Sequence, residues 1–106
     1  GSGKQTRSFL YASDFARGLL EVTEKYAVCD PVNIGTSEEV TIGNLAKMIV
    51  KISGKKVAIK FDTAKPDGQP RRNCDTKKAF EKVGFRAQVS LEEGLKRTIK
   101  WYKEQV

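Results

Sequence analysis

A chain of 106 residues is long enough for one small domain around a single core. With 39% hydrophobic and 31% charged residues it reads as a globular domain in water, and no apolar run is long enough for a helical membrane span, so no membrane partner is expected. The net charge of +7 points to anionic partners, nucleic acid and phosphorylated ligands among them, without choosing between them.

Histidine is absent, and Cys29 and Cys74 form no CxxC pair. A zinc site is therefore not expected, and no Ser-His-Asp or Cys-His nucleophile can be built. Gly1 to Arg7 carries no apolar leader segment, so free thiols in a reducing, cytoplasmic compartment are expected.

In chain order, Arg7 to Tyr11 is a short apolar and aromatic run suited to a strand. A helix follows, capped by Ser13 or Asp14, with Phe15, Ala16, Leu19, Leu20 and Thr23 recurring at helical spacing and expected in the core. After Pro31, the run Val32-Asn33-Ile34 reads as a strand stopped by Gly35, and Thr36 to Glu39 as a polar connection. Thr41 is the expected N-cap of a helix with the stripe Ile42, Leu45, Ala46, Ile49 and Val50, closed by Gly54.

Lys56 to Phe61 alternates apolar and polar residues, the period of a strand. The loop from Lys65 to Asp75 starts as a turn: Pro66 fixes φ, Asp67 can bond its own backbone, and Gly68 tolerates positive φ. Past Pro70 it presents Arg71 and Arg72, whose planar forks suit phosphate oxygens; a solvated basic turn is the alternative. Asp75 can cap a short helix carrying Ala79, Phe80 and Val83 and ended by Gly84. Ser90 and Glu93 match a capping box, opening a last helix with Leu91, Leu95, Thr98, Ile99 and Tyr102 on one face. Trp101 is expected to make a second contact to the core. The order β-α-β-α-β-loop-α-α predicts an α/β fold, or α+β in isolation, with short parallel strands and about four helices.

Several stretches together resemble one family. Thr6-Arg7-Ser8-Phe9-Leu10-Tyr11-Ala12-Ser13-Asp14 resembles the "TRxFxYVxD" segment of the extended short-chain dehydrogenase/reductases, the NAD(P)-dependent sugar-nucleotide epimerases, dehydratases and decarboxylases. Asn33-Ile34-Gly35 resembles their "xNxG" strand, and Thr41-Ile42 with Leu45-Ala46 the helix after it. Lys65 to Arg72 is similar to the "KPDGTPRK" loop of GDP-L-fucose synthases. Ser90 to Leu95, with Thr98, resembles the final "SLEEGLxxT" helix. Two positions depart from the pattern: Lys65 stands where many relatives have arginine, and Ala12 where valine is usual.

The resemblance implies that residues 1–106 form a single substrate-binding subdomain that lacks the Rossmann domain of the family. The glycine-rich dinucleotide turn is not found, and no catalytic Tyr-x-x-x-Lys pair exists: Phe15, Asp30 and Val106 stand four residues beyond the three tyrosines. It implies NAD or NADP in a longer parent and no cofactor or catalytic residue in this chain, which is expected to be inactive alone. It also implies that Arg7 and the loop cations Lys65, Arg71 and Arg72 hold the diphosphate of a nucleoside-diphosphate sugar. The competing reading is a small basic nucleic-acid-binding module, supported by charge but by no recognised motif. Apolar faces that the missing domain would cover, in Val57–Phe61 and Phe9-Leu10-Tyr11, lead us to expect self-association, including exchange of the N-terminal strand.

Overall fold

The computed structural model describes residues 1–106 and contains four helices and three short strands. These are β1 (Thr6–Ser8), α1 (Ala12–Lys25), β2 (Glu39–Thr41), α2 (Ile42–Ser53), β3 (Arg71–Arg72), α3 (Lys77–Val83) and α4 (Leu91–Gln105). β1 is the centre of a sheet in the order β2-β1-β3. It pairs with β3 in parallel, Arg7 opposite Arg72, and with β2 antiparallel, Arg7 opposite Val40. The α/β class and the four helices agree with the sequence reading; the sheet is mixed rather than all parallel.

The reason lies in which strands find partners. Neither Val32–Ile34 nor Lys56–Phe61 makes a backbone–backbone hydrogen bond. β1 is only three residues long and both its edges are taken, by the Glu39–Thr41 segment read as a connection and by two residues of the loop read as irregular. Alternation makes a stretch fit for a strand, but the ladder needs an open edge.

Helix ends follow local chemistry closely. Thr41 accepts from the Asn44 amide at 3.1 Å, and Gly54 closes α2 at φ +71. Ser90 accepts from the Glu93 amide at 3.2 Å. The reciprocal half of the capping box is not made: the Glu93 carboxylate accepts from Arg97 instead, at 2.9 Å. The first α4 amide, from Leu91, goes to the Glu38 carboxylate at 2.8 Å. Asp75 accepts from the Lys77 amide at 2.9 Å, one position upstream of the α3 cap at Thr76.

α1 departs most from expectation. It starts at Ala12 with Tyr11 as N-cap and no side-chain cap, so neither Ser13 nor Asp14 caps it. Its apolar stripe faces solvent: Phe15, Leu19 and Leu20 are 46%, 51% and 64% exposed. The buried face carries Asp14 and Gly18 instead. A Cβ at Gly18 would collide with Ile34 and Phe85, so glycine is what lets the helix approach. Phe85, Val83 and Ala79 form the core, with Leu10, Val22, Tyr26, Val32 and Ile34 against it. Trp101 and Tyr102 are exposed near the end of α4 rather than in contact with the core.

Asp14 is 2% exposed. Its Oδ2 accepts from the amides of Gln88 and Val89, both at 2.9 Å, and its Oδ1 from Arg17 at 3.0 Å. Burial pushes its pKa up, but the Val89 amide, the Arg17 guanidinium and the Gln88 amide outweigh this and hold it below the ordinary carboxylate value. The unfolded chain therefore takes up the proton first. The stability Asp14 contributes is present above the ordinary value of 3.8 and is lost as pH falls through the lower folded value. Asp14→Ala is expected to cost about 2–4 kcal/mol at neutral pH, because it strands two part-buried amides and a guanidinium. Thermal melts of both proteins at neutral pH and at about pH 2.5 test this: the gap in melting temperature should shrink in acid.

Candidate functional site

The hydrogen-bonded turn lies upstream of the expected one: the Lys65 amide donates to the Asp62 carbonyl at 3.1 Å, while Pro66-Asp67-Gly68 closes no backbone turn bond, although Gly68 does sit at φ +74. Asp67 accepts from both the amide and the hydroxyl of Ser2, and these two bonds hold its pKa below the usual carboxylate value. The chain then enters the sheet: the Thr6 amide donates to the Pro70 carbonyl at 2.9 Å, and β3 runs alongside β1.

Parallel pairing places partners on the same sheet face, and successive residues on opposite faces. Arg7 and Arg72 are partners and share a face; Arg71 lies on the other. Arg7 Nη1 donates to the carbonyls of Gln69 at 2.8 Å and Thr6 at 2.6 Å, which fixes its guanidinium against the loop. Arg7 and Arg72 line one cavity of about 420 Å³, together with Ser8, Gly35, Thr36 and Asn73. Neither arginine takes part in an ion pair.

The other two expected cations are elsewhere. Arg71 Nε donates to both carboxylate oxygens of Glu39, at 3.1 and 3.0 Å, across β1. Lys65 is exposed on the turn and does not line the cavity. Of the four predicted residues, the fold thus brings two together. It adds Gly35 and Thr36 from the connection before β2, together with Asn73 and Cys74. Gly35 lies in the "xNxG" segment and Asn73 and Cys74 in the Lys65–Asp75 loop, but the sequence reading expects none of the four as a site residue: the 34–36 segment comes to the cavity with Ile34, which packs against the core.

Two guanidiniums without an ion-pair partner stand on one wall, a donor set whose chemistry can pair with an oxyanion, and their register is set by a backbone ladder. No group of three or more His, Cys, Asp or Glu is placed to hold a metal ion, and no helix is long and apolar enough to cross a membrane.

Comparison with known proteins gives a consistent picture. A family model described as GDP-mannose 4,6 dehydratase matches residues 1–98. A probable GDP-L-fucose synthase 1 of Oryza sativa subsp. japonica is 37% identical over 106 residues, all of this chain and 32% of that protein. The crystal structure of a UDP-glucose 4-epimerase with UDP-glucose from Thermotoga maritima superposes with a TM-score of 0.91 at 31% identity, over 99% of this chain and 34% of the other. A UDP-glucuronic acid 4-epimerase from Bacillus cereus, in complex with UDP-glucuronic acid and NAD, gives 0.88 at 30% identity, over 100% and 34%. The chain spans about a third of the length of the proteins it matches.

Gly35 has a steric role at the cavity: a Cβ there would run into the Cys74 sulfur. Gly35→Ala is therefore expected to cost about 1–3 kcal/mol by overpacking, and Cys74→Ala in the same chain to recover most of it. Chemical denaturation of the single and double variants measures both.

Proposed function

The chain belongs to the GDP-mannose 4,6-dehydratase family of the extended short-chain dehydrogenase/reductases, and on that premise we propose that it holds the diphosphate of a nucleoside-diphosphate sugar. The observation that carries this reading is the pairing of Arg7 with Arg72 on one wall of one cavity. A diphosphate keeps its charge at neutral pH, and guanidinium cannot lose its own. Arg7, braced by the Gln69 and Thr6 carbonyls, is the fixed anchor. Arg72, exposed and unpaired, closes on the second phosphoryl group. Lys65, exposed and outside the cavity wall, adds a point charge on the neighbouring loop. We assign Arg71 to the register of β3, through Glu39, rather than to phosphate.

In the longer protein that we propose as the working enzyme, NAD or NADP supplies hydride chemistry at a sugar carbon. The residues present here do not fit that cofactor: the β1–α1 junction is Phe9-Leu10-Tyr11, with bulky side chains where a pyrophosphate cradle needs glycine. This chain's part is to bind and orient, and we expect it to be inactive alone. The solvent-facing stripe of α1, Phe15, Leu19 and Leu20, is the surface we assign to the dinucleotide-binding portion. The free thiols of Cys29 and Cys74 suit a cytoplasmic setting. The nucleic-acid reading is not favoured, since Arg71 is spent on Glu39 and Lys78 on Asp30 and the Pro31 carbonyl.

Two outcomes are expected. In calorimetric titration with a nucleoside diphosphate, Arg7→Ala and Arg72→Ala should each weaken binding by about 1.5–3 kcal/mol, one charge-assisted bond, while Arg71→Ala should stay within about 0.5 kcal/mol of the unsubstituted chain. Full affinity in both Arg7→Ala and Arg72→Ala would remove the diphosphate from this wall. In light scattering across a dilution series, the unsubstituted chain should self-associate, and Leu19→Lys with Leu20→Lys should return it to a monomer. A monomer at every concentration, with no binding of a hydrophobic dye, would mean that the α1 stripe is covered without a partner.

A further inference from the structure

A second cavity of about 380 Å³ shares the Gly35–Thr36 segment with the Arg7–Arg72 cavity. Its walls carry two cations, Lys77 and Arg86, and three hydroxyls, from Thr36, Ser37 and Thr76. The Arg86 guanidinium lies 4.1 Å from the centroid of the Phe80 ring, on the same wall. Stacking on a ring aligns the guanidinium plane without consuming its hydrogen-bond donors. Arg86 has no ion pair, and Lys77 has only a long one, 3.8 Å to Glu81 on the exposed side of α3. Thr36 Oγ1 accepts from the Glu38 amide at 3.2 Å, which leaves its own O–H to donate.

The chemistry of this cavity is therefore cationic and rich in donors arriving from several directions. A tetrahedral oxyanion uses such a set; a planar carboxylate does not exhaust it, and a recess of this size suits a small ligand rather than a polymer. We propose that this is a second anion site, distinct from the Arg7–Arg72 wall, which binds the phosphoryl group of a small phosphorylated molecule through Arg86, Lys77 and the hydroxyls of Thr36, Ser37 and Thr76. The site stands whether or not the first cavity takes a nucleotide sugar, since the two share only the Gly35–Thr36 segment.

The probe is inorganic phosphate, titrated into the full 106-residue chain labelled with ¹⁵N, at constant ionic strength against chloride. Amide signals of Thr36, Ser37, Lys77 and Arg86 are expected to move together and saturate. Arg86→Ala should weaken that transition at least about tenfold, the loss of one charge-assisted bond. Arg7→Ala should leave it in place. Should Arg86→Ala perturb the fold, Lys77→Gln, on an exposed side chain, should show the same direction of change. The proposal is overturned if chloride alone reproduces the shifts, if Arg86→Ala and Lys77→Gln bind phosphate as well as the unsubstituted chain, or if Arg7→Ala abolishes the transition.

Discussion

The carboxylate of Asp14 joins two parts of the chain that are far apart in sequence: the first half of α1, where Arg17 stands three residues on, and the amides of the connection between α3 and α4. Arg17 extends the junction by donating to the Arg86 carbonyl at 2.6 Å and by lying 4.7 Å from the centroid of the Phe85 ring. Only nine of the 106 residues are buried, so there is little hydrophobic interior to fall back on. A buried carboxylate is costly to desolvate, but Asp14 accepts three hydrogen bonds, which is the condition under which such a group specifies one arrangement. Phe85 is fixed by it, and with Phe85 the placement of Ile34 and the 34–36 segment.

From that junction the candidate site follows in two steps. Ile34 packs on the core and carries Gly35 and Thr36 to the edge of the sheet. The sheet then supplies the arginines, because β1 passes between β2 and β3 and its ladder with β3 sets Arg7 beside Arg72. The Arg71–Glu39 pair spans the other face of β1 and ties the two outer strands together. It is exposed, and such pairs contribute modestly to stability, so its importance is geometric. Adjacent arginines in sequence thus serve different ends because a strand sends them to opposite faces.

What was legible in the sequence was local. The caps at Thr41 and Ser90 and the closing glycines Gly54 and Gly84 depend on a few neighbouring residues, and they hold. The family was legible because five short segments appear in the right order. What was not legible needed partners remote in the chain. Asp14 looks like an N-cap until the amides of Gln88 and Val89 arrive. The stripe Phe15, Leu19 and Leu20 has a helical period, as does the face through Asp14 and Gly18, and apolarity alone chose the wrong one. Val32–Ile34 and Lys56–Phe61 have strand composition, but whether they join a ladder depends on a free edge. At the site, Arg72 could be named from the loop, whereas the diversion of Arg71 to Glu39 required the pairing of β2 with β1.

The two unladdered stretches carry a consequence for how this surface can change over generations. Their main-chain amides and carbonyls have no main-chain partner, and every residue type except proline offers the same pair of groups. A neighbouring strand that docks along them is recognised chiefly through atoms no substitution can alter, with side chains adjusting the fit. Such a seam tolerates drift in sequence on both sides while its geometry persists. By contrast, the junction at Asp14 depends on a particular carboxylate, and there a single exchange has no neutral route.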